Sequence, residues 1–212
     1  MTTRDMVYID LDGVLARWQL HEVSRQVGRT ITEDDWSREH GWDIVSVIQE
    51  LGGPDYRERP MDFWNSVTEE SWASTPRTND FGAILSGAVK LVGQDSIRIC
   101  TAPPPDHNPA AYSGKAKWIK NCLPTWLHRS VVFTEHKSDL AAPNRLLIDD
   151  ADHNDTAWRD AGGPCMLIPR PWNRNDGIPM DAYLMVSFSY MGYKWRKETN
   201  SNPQSHETSR PS

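Results

Sequence analysis

At 212 residues the chain is long enough to bury one substantial core with a small appended unit. A formal charge of −6 and a sequence pI near 5.6 exclude a broad basic face for long nucleic acid, although a small phosphorylated ligand needs only a local positive site. With no apolar run of about eighteen residues, no basic-then-apolar leader and three cysteines outside any C-x-x-C pair, the expectation is a cytoplasmic, reduced protein with no membrane association.

Residues 6–16, MVYIDLDGVLA, open as a buried strand that stops at Asp10 and turns through Asp12 and Gly13. Residues 17–27 place Leu20, Val23 and Val27 on one helical face, and Thr32 with Asp35 has the spacing of a capping box opening a short helix through Trp36. Residues 43–51 carry Ile44, Val47, Ile48 and Leu51 at i, i+3, i+4, i+7 and are stopped by Gly52-Gly53-Pro54. Residues 59–64 read as a loop or helix start bearing Phe63 and Trp64. None of this region alternates as a sheet does. It reads as a helical insertion, too long for an ordinary strand-to-helix loop.

Residues 79–93 are again amphipathic. Residues 96–100 (SIRIC) form a second strand ending at Thr101, and 111–122 a helix. Residues 130–133 form a third strand ending near Lys137, and 145–148 a fourth, ending in Asp149-Asp150. Residues 156–161 make a short helix and 165–168 a fifth strand. Strands alternating with helices imply an α/β fold built on a Rossmann-like parallel sheet. The expected units are a core of residues 1–16 and 78–196, a helical cap of 17–77, and a polar, disordered tail of 197–212.

Four strand ends therefore carry polar groups: Asp10 and Asp12, Thr101, Lys137, and Asp149 with Asp150. In a parallel sheet such ends share one edge, where ligands bind. Each has an ordinary explanation alone: a polar turn, a strand-ending hydroxyl, a solvated lysine, a helix cap. Close like charges make sense around a cation or a shared proton.

The order DLDGV at 10–14, Thr101, Lys137 and Asp149-Asp150 resembles the haloacid dehalogenase-like superfamily. The blocks DLDGVLARW, ICTAP with GKAKWIK, VVFTEHK and LLIDD are similar to the 5′(3′)-deoxyribonucleotidases, over about two thirds of the chain. The resemblance implies a helical cap between the first two motifs and a base pocket lined by aromatics at positions matching Trp18, Phe63 and Trp64. It further implies hydrolysis of a nucleoside 5′-monophosphate. Asp10 would be the nucleophile forming an aspartyl-phosphate and Asp12 the acid and base, while Lys137 and Thr101 contact the phosphoryl oxygens. Mg²⁺ would sit on Asp10, the Asp12 backbone carbonyl and Asp149, with Asp150 orienting Lys137 or a metal-bound water.

Two departures bear on substrate preference. Ala102 stands where the family commonly has serine, in a place suited to holding phosphate or sugar, and Glu135-His136 stands where it often has Arg-Asp. Competing readings are a phosphatase for another small phosphorylated metabolite or a nucleic-acid terminal phosphate, and a non-catalytic binding module on the same fold. The scattered histidines His107, His136 and His153 lack the spacing of a zinc site. A homodimer is left open.

Overall fold

A computed structural model of the protein describes residues 5–103 and 108–201. Among them, β1 (Met6–Ile9), β2 (Ile97–Thr101), β3 (Val131–Phe133), β4 (Arg145–Asp149) and β5 (Cys165–Leu167) pair in parallel in the order β3-β2-β1-β4-β5. All five coincide, within a residue or two at their ends, with the apolar runs of the sequence. Because strand side chains alternate, the sheet has two distinct buried faces. Val7, Ile9, Ile97, Ile99, Leu146 and Ile148 pack with α5 (Phe81–Val92), α6 (Pro109–Cys122) and α8 (Met180–Ser201). Tyr8, Cys100, Leu147 and Cys165 pack on Trp158 of α7 (Asp152–Asp160).

The stretch after β1 is helical, as the absence of alternation implies. It holds α1 (Trp18–Val27), α2 (Ile44–Glu50), α3 (Pro60–Ser66) and α4 (Glu69–Ala73). These helices form a separate apolar cluster that includes Trp18, Val23, Trp36, Ile48, Phe63 and Trp72. Glu22 on α1 is fully buried and is held by Arg25, Gln26 and the Ser71 hydroxyl of α4, so its charge is compensated inside the insert. The two connections to the core are stitched together. Arg17 N–H donates to Pro76 O (2.8 Å), Thr78 N–H to Leu15 O (3.0 Å) and the Thr78 hydroxyl to Val14 O (2.8 Å). Where α4 meets α6, Gly114 lies against Trp72 and the Glu69 carbonyl so closely that a Cβ there would overlap both.

Local details differ from the sequence reading in instructive ways. Asp35 does reach back to the Thr32 N–H (2.9 Å), but the segment it caps, Glu33–Asp35, is one 3-10 turn, with Trp36 already extended. Helix α7 starts four residues earlier than expected. The expectation of a structureless tail from 197 meets a helix, α8, that runs to Ser201; the rest of that stretch lies outside the described residues. The same helix covers residues 180–196, where Leu184, Phe188, Met191 and Trp195 follow i, i+4, i+7, i+11 and face the core. No helix among the described residues is long and apolar enough to cross a membrane.

Candidate active site

Register puts the first two acids side by side. Ile9 of β1 is aligned with Ile148 of β4, and Asp10 N–H donates to Ile148 O (2.9 Å), so Asp10 and Asp149 leave neighbouring strands at the same level. Sequence order also reverses on either side of β1, and the carboxyl ends at such a reversal flank a crevice. The chain then turns at Gly13, whose φ of +76° favours glycine, and a Cβ there would overlap the Asp150 carboxylate. Arg170 pins this turn by donating to Gly13 O (2.6 Å) while paired with Asp80 (2.9 Å).

Lys137 arrives from the 3-10 turn after β3. Its Nζ lies 2.9 Å from Asp10 Oδ1 and 2.7 Å from Asp149 Oδ2, with the ammonium buried. Asp149 is further held by Ala151 N–H (2.9 Å) and the Asn154 amide (3.1 Å). Carboxylate oxygens of Asp10, Asp149 and Asp150 all fall within 4.8 Å of one another. One lysine does not neutralise three acids. Burial pushes the Asp10 carboxyl up to about 7, with Asp149 and Asp12 adding to the rise and Lys137 opposing it. Burial likewise lifts Asp150 well above the carboxylate range, reinforced by Asp149 and Asp10. Burial pulls Lys137 down, but Asp10 and Asp149 outweigh it, so the amine stays charged.

The residues present fit a hard divalent cation. The cluster offers only oxygen donors, and Asp150 Oδ1 is buried with no hydrogen-bond partner among the described residues. The Asp12 carboxylate is not part of this group. It turns to Lys115 of α6, 2.7 Å away, and Lys115 also donates to Thr101 Oγ1 (3.0 Å) and Ala102 O (2.6 Å). Asp150, expected to orient Lys137 or a metal-bound water, accepts from the Trp172 indole (2.8 Å) and lies with the acids, because the Gly13 turn leaves room for its side chain there. Glu135 and His136 are exposed and do not border the cleft. His107 lies outside the described residues.

Above the acids opens a cleft of about 250 Å³ between insert and core. Its floor includes Asp10, Asp12, Lys115 and Lys137; its walls include Trp18, Gln19, Trp42, Trp64, Trp72 and Ala102. Trp18 lies parallel to Trp72 (centroids 4.1 Å, 5°) and to Trp64 (5.8 Å, 8°). The Lys115 ammonium stands 4.6 Å from the Trp72 ring centroid. Phe63, expected to touch a ligand, is fully buried behind Trp64 and Trp18 and does not border the cleft; it is a packing residue of the insert. Thr101 is also fully buried and meets the cleft through Lys115.

The sequence reading passed over Lys115, Trp72, Gln19 and Trp172. Lys115 was detectable: Ala111, Gly114, Lys115, Trp118 and Ile119 form one stripe on α6, and a lysine on an apolar stripe needs a buried partner. Nothing local marks Gln19 or Trp172.

No protein-family model and no curated relative matches the chain. Among solved structures it is similar to a haloacid dehalogenase-like protein of Agrobacterium tumefaciens, at 12% identity and a TM-score of 0.46, over 94% of this chain and 99% of that one. A HAD family hydrolase of Deinococcus radiodurans with bound phosphate and sodium has 13% identity and a TM-score of 0.46, over 93% and 96%. A HAD-hydrolase of Bacillus subtilis bound to magnesium has 10% identity and a TM-score of 0.41, over 77% and 86%. With TM-scores below 0.5, none of these bears on the chemistry, which is read from the residues of the cleft.

Proposed function

We propose that the chain is a magnesium-dependent phosphomonoesterase of haloacid dehalogenase type that releases phosphate from nucleoside 5′-monophosphates. The observation that carries this reading is Lys137 bridging Asp10 and Asp149 at the floor of a cleft whose upper walls are aromatic. In this reading residues 17–77 act as a cap over a core of 1–16 and 78–196.

Phosphoryl transfer needs an aligned nucleophile, relief of charge on the transferred oxygens and a proton for the departing alkoxide. Asp10 attacks phosphorus; the phosphorus–oxygen bond to the sugar breaks, and an aspartyl-phosphate forms. Asp12, on the same turn, takes a proton from solvent once the phosphate draws Lys115 away, gives it to the leaving oxygen, and then takes one from the water that hydrolyses the acyl-phosphate. Lys115 holds the Asp12 carboxylate in place before substrate enters and can shift its contact to the incoming phosphate. Lys137 opposes the rise in the Asp10 carboxyl and offsets charge on the phosphoryl oxygens. Asp10, Asp149 and the Asp12 carbonyl, with Asp150 beside them, would hold Mg²⁺, which would supply charge neutralisation for the transferred group.

One observation favours a second substrate class. Trp18 already has indole neighbours in parallel, which leaves less free ring surface for a base than an open aromatic pocket would and suits a smaller phosphorylated metabolite. Phosphate release, with and without Mg²⁺, across ribo- and deoxyribonucleoside monophosphates and sugar phosphates separates the two. The nucleotide reading expects specificity constants well above those for sugar phosphates, lost on chelation. Asp10→Asn should lower turnover by at least ~10³-fold while leaving the melting curve cooperative. Native-rate hydrolysis by that variant would overturn the mechanism.

A further inference from the structure

The upper cleft contains an uncommon set of polar atoms. Gln19, 1% exposed, borders it with both carboxamide atoms, Oε1 and Nε2, lacking any hydrogen-bond partner among the described residues. The indole N–H groups of Trp18, Trp42 and Trp72, which border the same cleft, are buried and unpartnered as well. Buried polar groups are nearly always paired, since leaving one unpaired costs free energy. Here one acceptor and several donors are unpaired around one cavity. The acids and lysines at its floor are, by contrast, almost all paired.

We propose that Gln19 determines substrate specificity: its carboxamide pairs with a planar ring that presents a hydrogen-bond donor beside an acceptor, while the indole N–H groups receive further acceptors of the same ring. This rests on the nucleotide reading above. A carboxamide carries a donor and an acceptor side by side in one plane, so it matches a base edge two bonds at a time. The neighbouring indoles fix the plane in which such a ring enters. Gln19 directly follows Trp18 at the start of α1, so ring contact and edge contact come from the same helical turn. The phosphate end of the substrate lies at the floor and the ring end at Gln19, which separates chemistry from selection.

The test compares kcat/KM for nucleoside monophosphates carrying different bases with that for abasic 2-deoxyribose 5-phosphate, in the wild type, Gln19→Met and Gln19→Glu. Gln19→Met removes both hydrogen-bonding atoms at similar length. The ratio for the best base over the abasic sugar should fall by about 10–100-fold, mainly through KM. Gln19→Glu replaces the donor by an acceptor and should re-rank the bases, which a purely structural role would not do. The free Gln19→Met protein should melt at the same temperature or higher, since it loses an unpaired buried group. An unchanged ratio in both variants overturns the assignment and leaves the nucleotide reading standing. A lowered melting temperature in Gln19→Met, without re-ranking in Gln19→Glu, also overturns it. A wild type that prefers no nucleotide over the abasic sugar overturns the nucleotide reading and this assignment together.

Discussion

Asp10 and Asp12 are two residues apart in the chain yet have different surroundings. Asp10 is buried among carboxylates and raised to about 7; Asp12 is partly accessible and paired with Lys115. That contrast suits a nucleophile shielded from water beside an acid and base that must exchange protons with it. Asp12→Asn should therefore slow the first-turnover release of alcohol from alkyl phosphates by about 10²–10⁴-fold and of p-nitrophenol from its phosphate far less, because the latter's leaving group departs without a proton. Equal losses on both substrates would remove Asp12 from that role. Asp150 allows a thermodynamic check. Its unpaired oxygen sits in an excess of negative charge, and Asp150→Asn keeps an acceptor for Trp172 while supplying an amide donor toward the acids. Without metal, this variant should melt about 3–10 °C above the wild type at pH 8, from ~1–3 kcal/mol of relieved penalty. Its melting shift on Mg²⁺ addition should shrink, as read by differential scanning calorimetry.

At the scale of elements, the cleft is made by how the insert sits on the core. The α4–α6 contact is close because Gly114 has no side chain, and it brings Trp72 over Lys115. Gly114→Val would force α4 outward, moving Trp72 and, through the parallel indole pair, Trp18. The expected result is a loss of roughly 1–3 kcal/mol in stability, since overpacking of a tight contact costs about that much, accompanied by a rise in KM larger than the fall in kcat. A variant with native KM would mean that the insert's seating does not shape the substrate site. Trp172 provides a second link, contacting Trp36 and Trp42 of the insert while its N–H reaches Asp150. Insert position and the acid cluster thus share a residue.

For the whole molecule, the acid cluster makes stability depend on pH and on metal. With its pKa raised from 3.8 to about 7, Asp10 holds a proton in the folded state that the unfolded chain releases at lower pH. Its contribution to stability is fully present below about 4, and is lost as pH rises toward 7. Asp150 shifts in the same direction. A divalent cation competes with those protons, so its binding strengthens as pH rises. The metal-free protein should therefore lose melting temperature between pH 5 and pH 8, and the increase caused by saturating Mg²⁺ should be larger at pH 8. A Mg²⁺-induced shift that is equal at both values would dissociate the ion from Asp10 and Asp150.

The sequence alone determined the strands, the helical character of the insert and the placement of Asp10 and Asp149 at strand ends, with Lys137 in the turn beyond the third strand. Those features follow from local periodicity and from residues that stop a strand, and a parallel sheet brings such ends to one rim. Tertiary structure decided what periodicity does not encode. Lys115 turns inward to Asp12 while Lys117, two residues on, pairs with Glu69 at the surface, because helix packing selects one stripe. Phe63 turns into the insert's core and its neighbour Trp64 to the cleft. Asp150 joins the cluster because Gly13 leaves it room. In each case the deciding contact comes from residues distant in the chain: the stripe on α6 marks Lys115 as buried, but only the fold makes Asp12 its partner.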